Sequence, residues 1–132
     1  MKKISLLMTI LFSIIFTFPS YGEWIQKGKN DGGDFYVDFE RIRKIDGYVY
    51  WWLLTDFLKP DDYGYLSSKT YQQGECKQFK FKDLSFNFYK KPMGSGTTET
   101  YTPKNSEWRY PPPYSTYELI LKSVCENDKS KY

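Results

Sequence analysis

The side chains that could do chemistry in this chain are carboxylates, lysines and two cysteines, because none of the 132 residues is histidine. Without an imidazole to move a proton, nucleophilic catalysis by Ser or Cys with a His partner is excluded in its usual form. Zinc, copper and haem sites built on His ligands are excluded for the same reason. We therefore expect no metal site and no cofactor.

Sixteen acidic residues leave carboxylate chemistry as the remaining option. The acids in residues 31–34 and 61–62 match no complete calcium loop, and turn chemistry explains both groups. A glycosidase needs two carboxyl groups facing one cleft, and no such pair stands out in the sequence. The sequence therefore predicts a protein that is not an enzyme, with a carboxylate-based glycan hydrolase as the weaker alternative.

The N-terminus has the form of a cleavable secretory signal peptide. Two lysines precede an uncharged, mainly apolar run over residues 4–18, and a small-x-small pattern ends at Gly22. The run is shorter than the about 20 residues that a membrane-spanning helix needs. We therefore expect a signal peptide over residues 1–22 and one periplasmic or secreted domain over residues 23–132, with no stable membrane insertion after cleavage.

Cleavage also changes the charge of the protein. Loss of Lys2 and Lys3 lowers the formal net charge from +3 to +1. A nucleic-acid binder of this size normally carries a marked basic excess, because neutralisation of phosphates supplies much of its affinity. We therefore expect no nucleic-acid partner.

The two cysteines, Cys76 and Cys125, are predicted to form a disulfide, which is the default in an oxidising compartment. Reactive or metal-binding thiols are the minor alternative, since the pair lacks a CxxC spacing and the chain has no histidine. The bridge would close a loop of about 50 residues and contribute roughly 4 kcal/mol in the chain-entropy model.

Aromatic residues make up 20% of the sequence and occur in short runs separated by turn-forming residues, which indicates a mainly β fold. Residues 48–57 carry apolar groups on both faces, which is typical of a central strand. In residues 76–89 the inward face switches near Lys82-Asp83, which predicts a bulge. The predicted strands cover residues 24–27, 35–38, 48–57, 65–73, 76–89 and 108–110.

Two further segments have distinct compositions. Residues 90–107 are rich in Pro, Gly, Ser, Thr and Asn without apolar periodicity, which predicts an exposed, mobile loop. Ser115 and Glu118 fit a capping box at the start of a helix. That helix would present Tyr117, Ile120, Leu121 and Val124 on one face, with Cys125 beside them, and so pack on the sheet near Cys76.

Lysines interleaved with aromatic residues are the first candidate binding residues. They could form a basic face flanked by aromatic rings, which suits acidic glycans or proteins. The alternative is an ordinary solvated strand face whose lysines discourage edge pairing. The lysines concerned are Lys77, Lys80, Lys82, Lys90 and Lys91.

Trp51 and Trp52 are the second set of candidate binding residues. Successive side chains of a strand point to opposite faces, so one of the two indoles must point away from the helix. That indole is either covered by loops or open to a partner.

The order of these motifs resembles the bacterial surface-adhesin protein E family over nearly all of the predicted mature chain. In the second half, Cys76 precedes an aromatic strand, and a Pro-rich link separates Trp108 from the predicted helix. The matching motifs are Trp24, Tyr36-Val37-Asp38, Trp52-x-Leu54-x-Asp56-Phe57, Ser67-x-Lys69, Cys76, Trp108, Ser115-x-x-Glu118 and Val124-Cys125.

The resemblance implies an α+β, mainly β fold: an antiparallel sheet of about six strands with one C-terminal helix packed on it and a Cys76–Cys125 disulfide. It also implies a non-catalytic role, since members of that family bind extracellular-matrix and serum proteins. The aromatic excess without catalytic groups leads us to expect a binding module that contacts a protein or glycan through its sheet face or the 90–107 loop. The founding adhesin is lipid-anchored, whereas no lipid-accepting cysteine follows the predicted cleavage site here. The alternative is a periplasmic structural or assembly protein that acts by self-association.

Overall fold

Seven β-strands and one α-helix form the regular structure of residues 23–127, the part of the chain that the computed structural model describes. The predicted signal peptide, residues 1–22, lies outside the described residues. The elements are β1 Ile25–Asn30, β2 Gly33–Val37, β3 Arg43–Ile45, β4 Tyr48–Phe57, β5 Ser67–Glu75, β6 Lys80–Lys91, β7 Ser95–Tyr101 and α1 Thr116–Glu126, with 3-10 turns at Phe39–Arg41 and Pro92–Gly94.

The strands form one antiparallel sheet in the order β1-β2-β4-β5-β6-β7, and the short β3 pairs with the start of β4. β2 and β3 occupy the same edge of β4, so the chain leaves that edge briefly between them in a 3-10 turn. The carboxylate of Asp38 caps this turn by accepting a hydrogen bond from the Glu40 amide at 3.1 Å. The predicted central strand over residues 48–57 is confirmed as β4.

The helix packs on one face of the sheet, and the core lies between them. Val49, Trp51 and Leu53 alternate toward α1 from β4, and α1 contributes Ile120, Leu121 and Val124. The Cys76–Cys125 disulfide joins the last turn of α1 to the turn between β5 and β6. The predicted fold class, helix face and disulfide are all confirmed.

Gly74 provides the space that the large indole of Trp51 needs beneath the helix. A Cβ atom at this position would lie 2.8 Å from Trp51 Cζ3 and 3.0 Å from Leu121 Cδ1. We therefore expect Gly74→Ala to lower the free energy of unfolding by about 1–3 kcal/mol, because overpacking forces side chains out of their preferred positions. Urea unfolding measures this, with Gly32→Ala in the exposed β1–β2 turn as the control. Equal stability of the two variants would contradict the packing described.

The capping box at the start of α1 is half confirmed. Ser115 Oγ accepts a hydrogen bond from the Glu118 amide at 3.2 Å, as predicted. The Glu118 carboxylate, however, accepts from the Tyr114 amide at 3.3 Å. The Ser115 amide is already engaged, since it donates to the Pro112 carbonyl at 3.2 Å.

The predicted loop over residues 90–107 is exposed as expected and has no helix or strand over residues 102–107, but the prediction is wrong for residues 90–101. β6 continues to Lys91, the Pro92–Gly94 turn reverses the chain, and β7 pairs with β6 over Ser95–Tyr101. Every side chain of β7 is exposed because β7 is an edge strand, so the strand has no apolar periodicity that sequence could show. Residues 108–110 were predicted as a strand, but only Arg109 pairs there, in an isolated bridge with Phe81.

The predicted bulge in the long aromatic strand is confirmed. Tyr71 pairs with Ser85 and Gln72 pairs with Asp83, so Leu84 is the extra residue of β6. Because the bulge shifts the alternation by one position, Phe81 and Phe86 both point to the helix side of the sheet.

None of the described helical segments has the length and apolar character that crossing a bilayer requires.

Candidate binding surfaces

The sheet face opposite α1, called the open face below, carries an unusual number of aromatic rings. β4 contributes its even-numbered positions, and the pairing register places the neighbouring rings of β2, β5 and β6 on the same side. Each of these rings is half-buried or exposed. The open-face aromatics are Trp24, Tyr36, Tyr48, Tyr50, Trp52, Tyr71, Tyr89 and Trp108.

Three of these rings form a stacked aromatic strip, consisting of Tyr50, Tyr71 and Trp52. The centroid of the Tyr71 ring lies 4.9 Å from that of Trp52 and 6.0 Å from that of Tyr50, with planes about 30° apart. The amide of Gln73 donates to the Tyr50 hydroxyl at 3.0 Å and orients that ring. Cross-strand pairing therefore holds the strip in place without help from a ligand.

Cationic side chains lie over the rings at both ends of the open face. Lys69 Nζ lies 5.2 Å from the Tyr89 centroid and 5.6 Å from the Trp24 centroid. Lys80 and Lys82 place their ammonium groups 5.0 and 4.6 Å from the Trp108 centroid. At these distances the ring quadrupole attracts the cation.

Two arginines border the aromatic strip itself. Arg41 and Arg43 line a hollow of about 430 Å³ together with Glu40, Trp52 and Tyr71. Arg41 reaches the buried Asp38 carboxylate at 3.2 Å, while most of its side chain stays exposed. The hollow therefore combines planar rings with guanidinium groups, a combination frequent at protein interfaces.

The structure separates the two tryptophans that were candidate binding residues. Trp52 lies on the open face, half-buried against Tyr71. Trp51 is only 1% exposed beneath α1, so it is a core residue and its inclusion among the candidate binding residues is corrected. The strand alternation predicted that one ring would point away from the helix, but only the packing of α1 decides which one.

The structure does not bring the five candidate lysines together. Lys80 and Lys82 lie on the open face, and Lys77 lies in the exposed turn before β6. Lys90 and Lys91 stand at the far end of β6, roughly 30 Å from Lys80 at the usual rise per strand residue. Lys90 donates to the Tyr63 carbonyl at 2.8 Å and contacts the Tyr65 ring, so it is already engaged.

Sequence reasoning missed several residues of the open face. Lys69, Tyr71 and Gln73 occupy alternate positions of the predicted strand over residues 65–73, and that spacing is the signal that could have placed them on one face. Arg43 belongs to β3, a three-residue strand too short to show a period. The missed residues become neighbours of Trp52 only through the register of three strands.

A second concave surface lies on the other side of the sheet, beyond the first turn of α1. This helix-side cleft encloses about 300 Å³ between rings of β6 and the helix, over a floor of small polar residues from β4 and β5. The lining residues are Asn30, Gly32, Phe35, Leu53, Thr55, Phe57, Ser68, Thr70, Gln72, Asp83, Phe86, Phe88 and Tyr117.

Asp83 is the one carboxylate in the lining of the helix-side cleft, as far as the described residues show. It accepts a hydrogen bond from the Gln72 amide at 2.7 Å and pairs with the Arg109 guanidinium. A glycosidase needs two carboxyl groups, so this lining does not supply that pair. No cluster of three or more His, Cys, Asp or Glu side chains suited to a metal occurs within residues 23–127.

Comparison with known proteins supports the fold. The family model of Surface-adhesin protein E matches residues 24–126. Crystal form II of Haemophilus influenzae protein E is 18% identical and has a TM-score of 0.64, covering 84% of this chain and 92% of that chain. A second structure of Haemophilus influenzae protein E, also 18% identical, gives a TM-score of 0.62 and coverages of 84% and 89%. None of the curated proteins compared with the sequence matches it.

Proposed function

The chain belongs to the surface-adhesin protein E family, and from this premise we propose that it is a binding module whose open face contacts an acidic protein or glycan. Membership in a family of surface adhesins implies an exported protein. We expect the mature domain, residues 23–132, to be periplasmic or secreted and to act without catalysis. A partner of extracellular-matrix type fits this assignment.

The observation that carries the proposal is the preorganised aromatic strip of Tyr50, Tyr71 and Trp52. Aromatic residues and arginine dominate the binding energy of protein interfaces, because large rigid rings bury much area at little cost in side-chain entropy. On the open face such rings are half-exposed, whereas the apolar core lies on the helix side of the sheet. A surface of this composition is typical of an interaction site.

The charges of the open face favour an acidic partner. Arg43, Lys80 and Lys82 present their cationic groups among the rings. Two nearby acids are engaged within the fold: the Asp56 carboxylate accepts from the Met93 amide at 2.8 Å, and that of Glu75 accepts from the Gln78 amide at 3.1 Å. Glu40 also lines the hollow, where Arg41 and Arg43 outnumber it. Opposite charge on the partner would speed association and fix its orientation.

Trp52→Ala is expected to weaken binding of the partner at least about thirtyfold, because truncation of a central interface tryptophan costs about 2 kcal/mol or more of binding free energy. The matched control is Tyr114→Ala, since Tyr114 is 100% exposed beside the start of α1, away from the open face. Surface plasmon resonance of the oxidised mature domain over immobilised matrix proteins, serum proteins and acidic glycans measures the effect.

Equal affinities of the Trp52→Ala variant and the unaltered domain would contradict the proposal. Sedimentation of the same samples tests the alternative role. A mature domain that binds none of these partners but forms stable oligomers sensitive to Trp52→Ala would indicate a structural or assembly protein instead.

A further inference from the structure

The helix-side cleft has the properties of a second binding site, separate from the open face. α1 covers only part of its side of the sheet, and the ends of β4, β5 and β6 beyond its first turn remain uncovered. Thr116 Oγ1 donates to the Lys29 carbonyl at 3.0 Å and ties the start of the helix to β1. The cleft is thus bounded by the helix on one side and by β6 on the other.

One wall of the cleft carries two parallel aromatic rings. Phe86 and Phe88 are both half-exposed, and their ring planes differ by only 7° with centroids 5.9 Å apart. The face of an aromatic ring carries partial negative charge, so it attracts the weakly positive C–H groups on the face of a saturated ring. A pyranose presents such a face.

The floor of the cleft is polar and carries three hydroxyl groups. Ser68 and Thr70 are 6% and 5% exposed, and within residues 23–127 their hydroxyl oxygens are not among the fully buried side-chain atoms that lack a hydrogen-bond partner. Thr55 pairs with Ser68 across the strands and adds a third hydroxyl to the same lining. A hydroxyl group both donates and accepts hydrogen bonds, so these three hydroxyls suit a ligand that does the same.

The electrostatics of the cleft favour a neutral ligand. The Asp83 carboxylate is neutralised by the Arg109 guanidinium. Burial raises the pKa of the Tyr117 hydroxyl, and the nearby Asp83 raises it further although Arg109 opposes the shift, so Tyr117 stays uncharged at neutral pH. An acyl chain would cover the floor hydroxyls without bonding to them, and the described lining offers an anion no lysine or arginine.

We propose that the helix-side cleft binds a neutral sugar unit, stacked on Phe86 and Phe88 with its hydroxyls bonded to Ser68, Thr70 and the Gln72–Asp83 pair. The volume of about 300 Å³ accommodates one or two sugar rings. The protein would then have a sugar site on the helix side and a separate partner site on the open face.

An NMR titration of the oxidised mature domain tests this proposal. The probes are glucose, galactose, N-acetylglucosamine and their common disaccharides, with octanoate as the apolar comparison. We expect at least one sugar to shift the ring signals of Phe86 and Phe88 while the Trp52 ring signals stay in place. The proposal is overturned if no sugar shifts the phenylalanine rings, or if octanoate alone does.

Matched variants separate this site from the open face. Thr70→Val keeps the side-chain shape but removes one hydroxyl, and it should weaken sugar binding about fivefold. It should leave binding at the open face unchanged, whereas Trp52→Ala should leave sugar binding unchanged. If Thr70→Val has a markedly lower melting temperature than the unaltered domain, Ser68→Ala replaces it as the variant that removes one hydroxyl. Unchanged sugar affinity in the folded hydroxyl variant would refute the proposed contacts.

Discussion

Replacing both cysteines with serine is expected to lower the free energy of unfolding of the mature domain by about 4 kcal/mol. The Cys76–Cys125 bridge spans 49 residues and ties the last turn of α1 to the turn between β5 and β6. Without it, the unfolded chain gains the conformational freedom of that loop. Since many small domains have a stability of only about 5–15 kcal/mol, the melting temperature should fall markedly.

Urea unfolding of the Cys76→Ser/Cys125→Ser variant measures the loss. The unaltered domain in excess reductant should give the same curve as the double variant. Lys122→Ser, an exposed substitution on α1, controls for the effect of serine on the helix. If the double variant unfolds at the same urea concentration as the oxidised domain, the stabilising role of the bridge is wrong.

Trp51→Ala is expected to lower the free energy of unfolding by about 3–5 kcal/mol, because it opens a large cavity beneath α1. The indole is one of the largest fully buried side chains, between Gly74 and Leu121. Trp52→Ala is the natural control, since it removes the same side chain at the next position but from the open face. Trp52→Ala should lower the free energy of unfolding by only about 1 kcal/mol, mainly because the stacking on Tyr71 is lost.

Thermal and urea unfolding of the two variants check this difference. If Trp51→Ala does not fold, Trp51→Phe keeps the test available. It fills most of the space and removes an indole N–H that is buried without a hydrogen-bond partner among the described residues. We expect Trp51→Phe to be more stable than Trp51→Ala. A cost for Trp52→Ala equal to that for Trp51→Ala would contradict the assignment of the two faces.

Elements with a buried face could be predicted from sequence, and elements without one could not. β4 has apolar residues on both faces, and α1 has a regular apolar stripe, so both were evident. β7 lies at the sheet edge with every side chain exposed, and its Thr-rich sequence is indistinguishable from a loop. β3 is only three residues long.

The candidate sites were harder to predict because their residues meet through tertiary structure. The alternation of Trp51 and Trp52 followed from strand geometry, but which ring is buried depends on where α1 packs. The lysines of β6 are close in sequence, yet the length of the strand separates Lys80 from Lys90. Lys69 approaches Trp24 and Tyr89 only because β5 pairs with β6 in one particular register.

Hydroxyl-radical footprinting of the mature domain, free and bound to its matrix or serum partner, tests the open-face assignment most directly, because aromatic rings react readily with the radical. We predict that Tyr50, Trp52 and Tyr71 become protected on binding, while Tyr63, Tyr101 and Tyr114, which lie away from the open face, react as before. Protection of Tyr101 on β7 with no change at Trp52 would contradict the account and move the binding site to the segment 90–107.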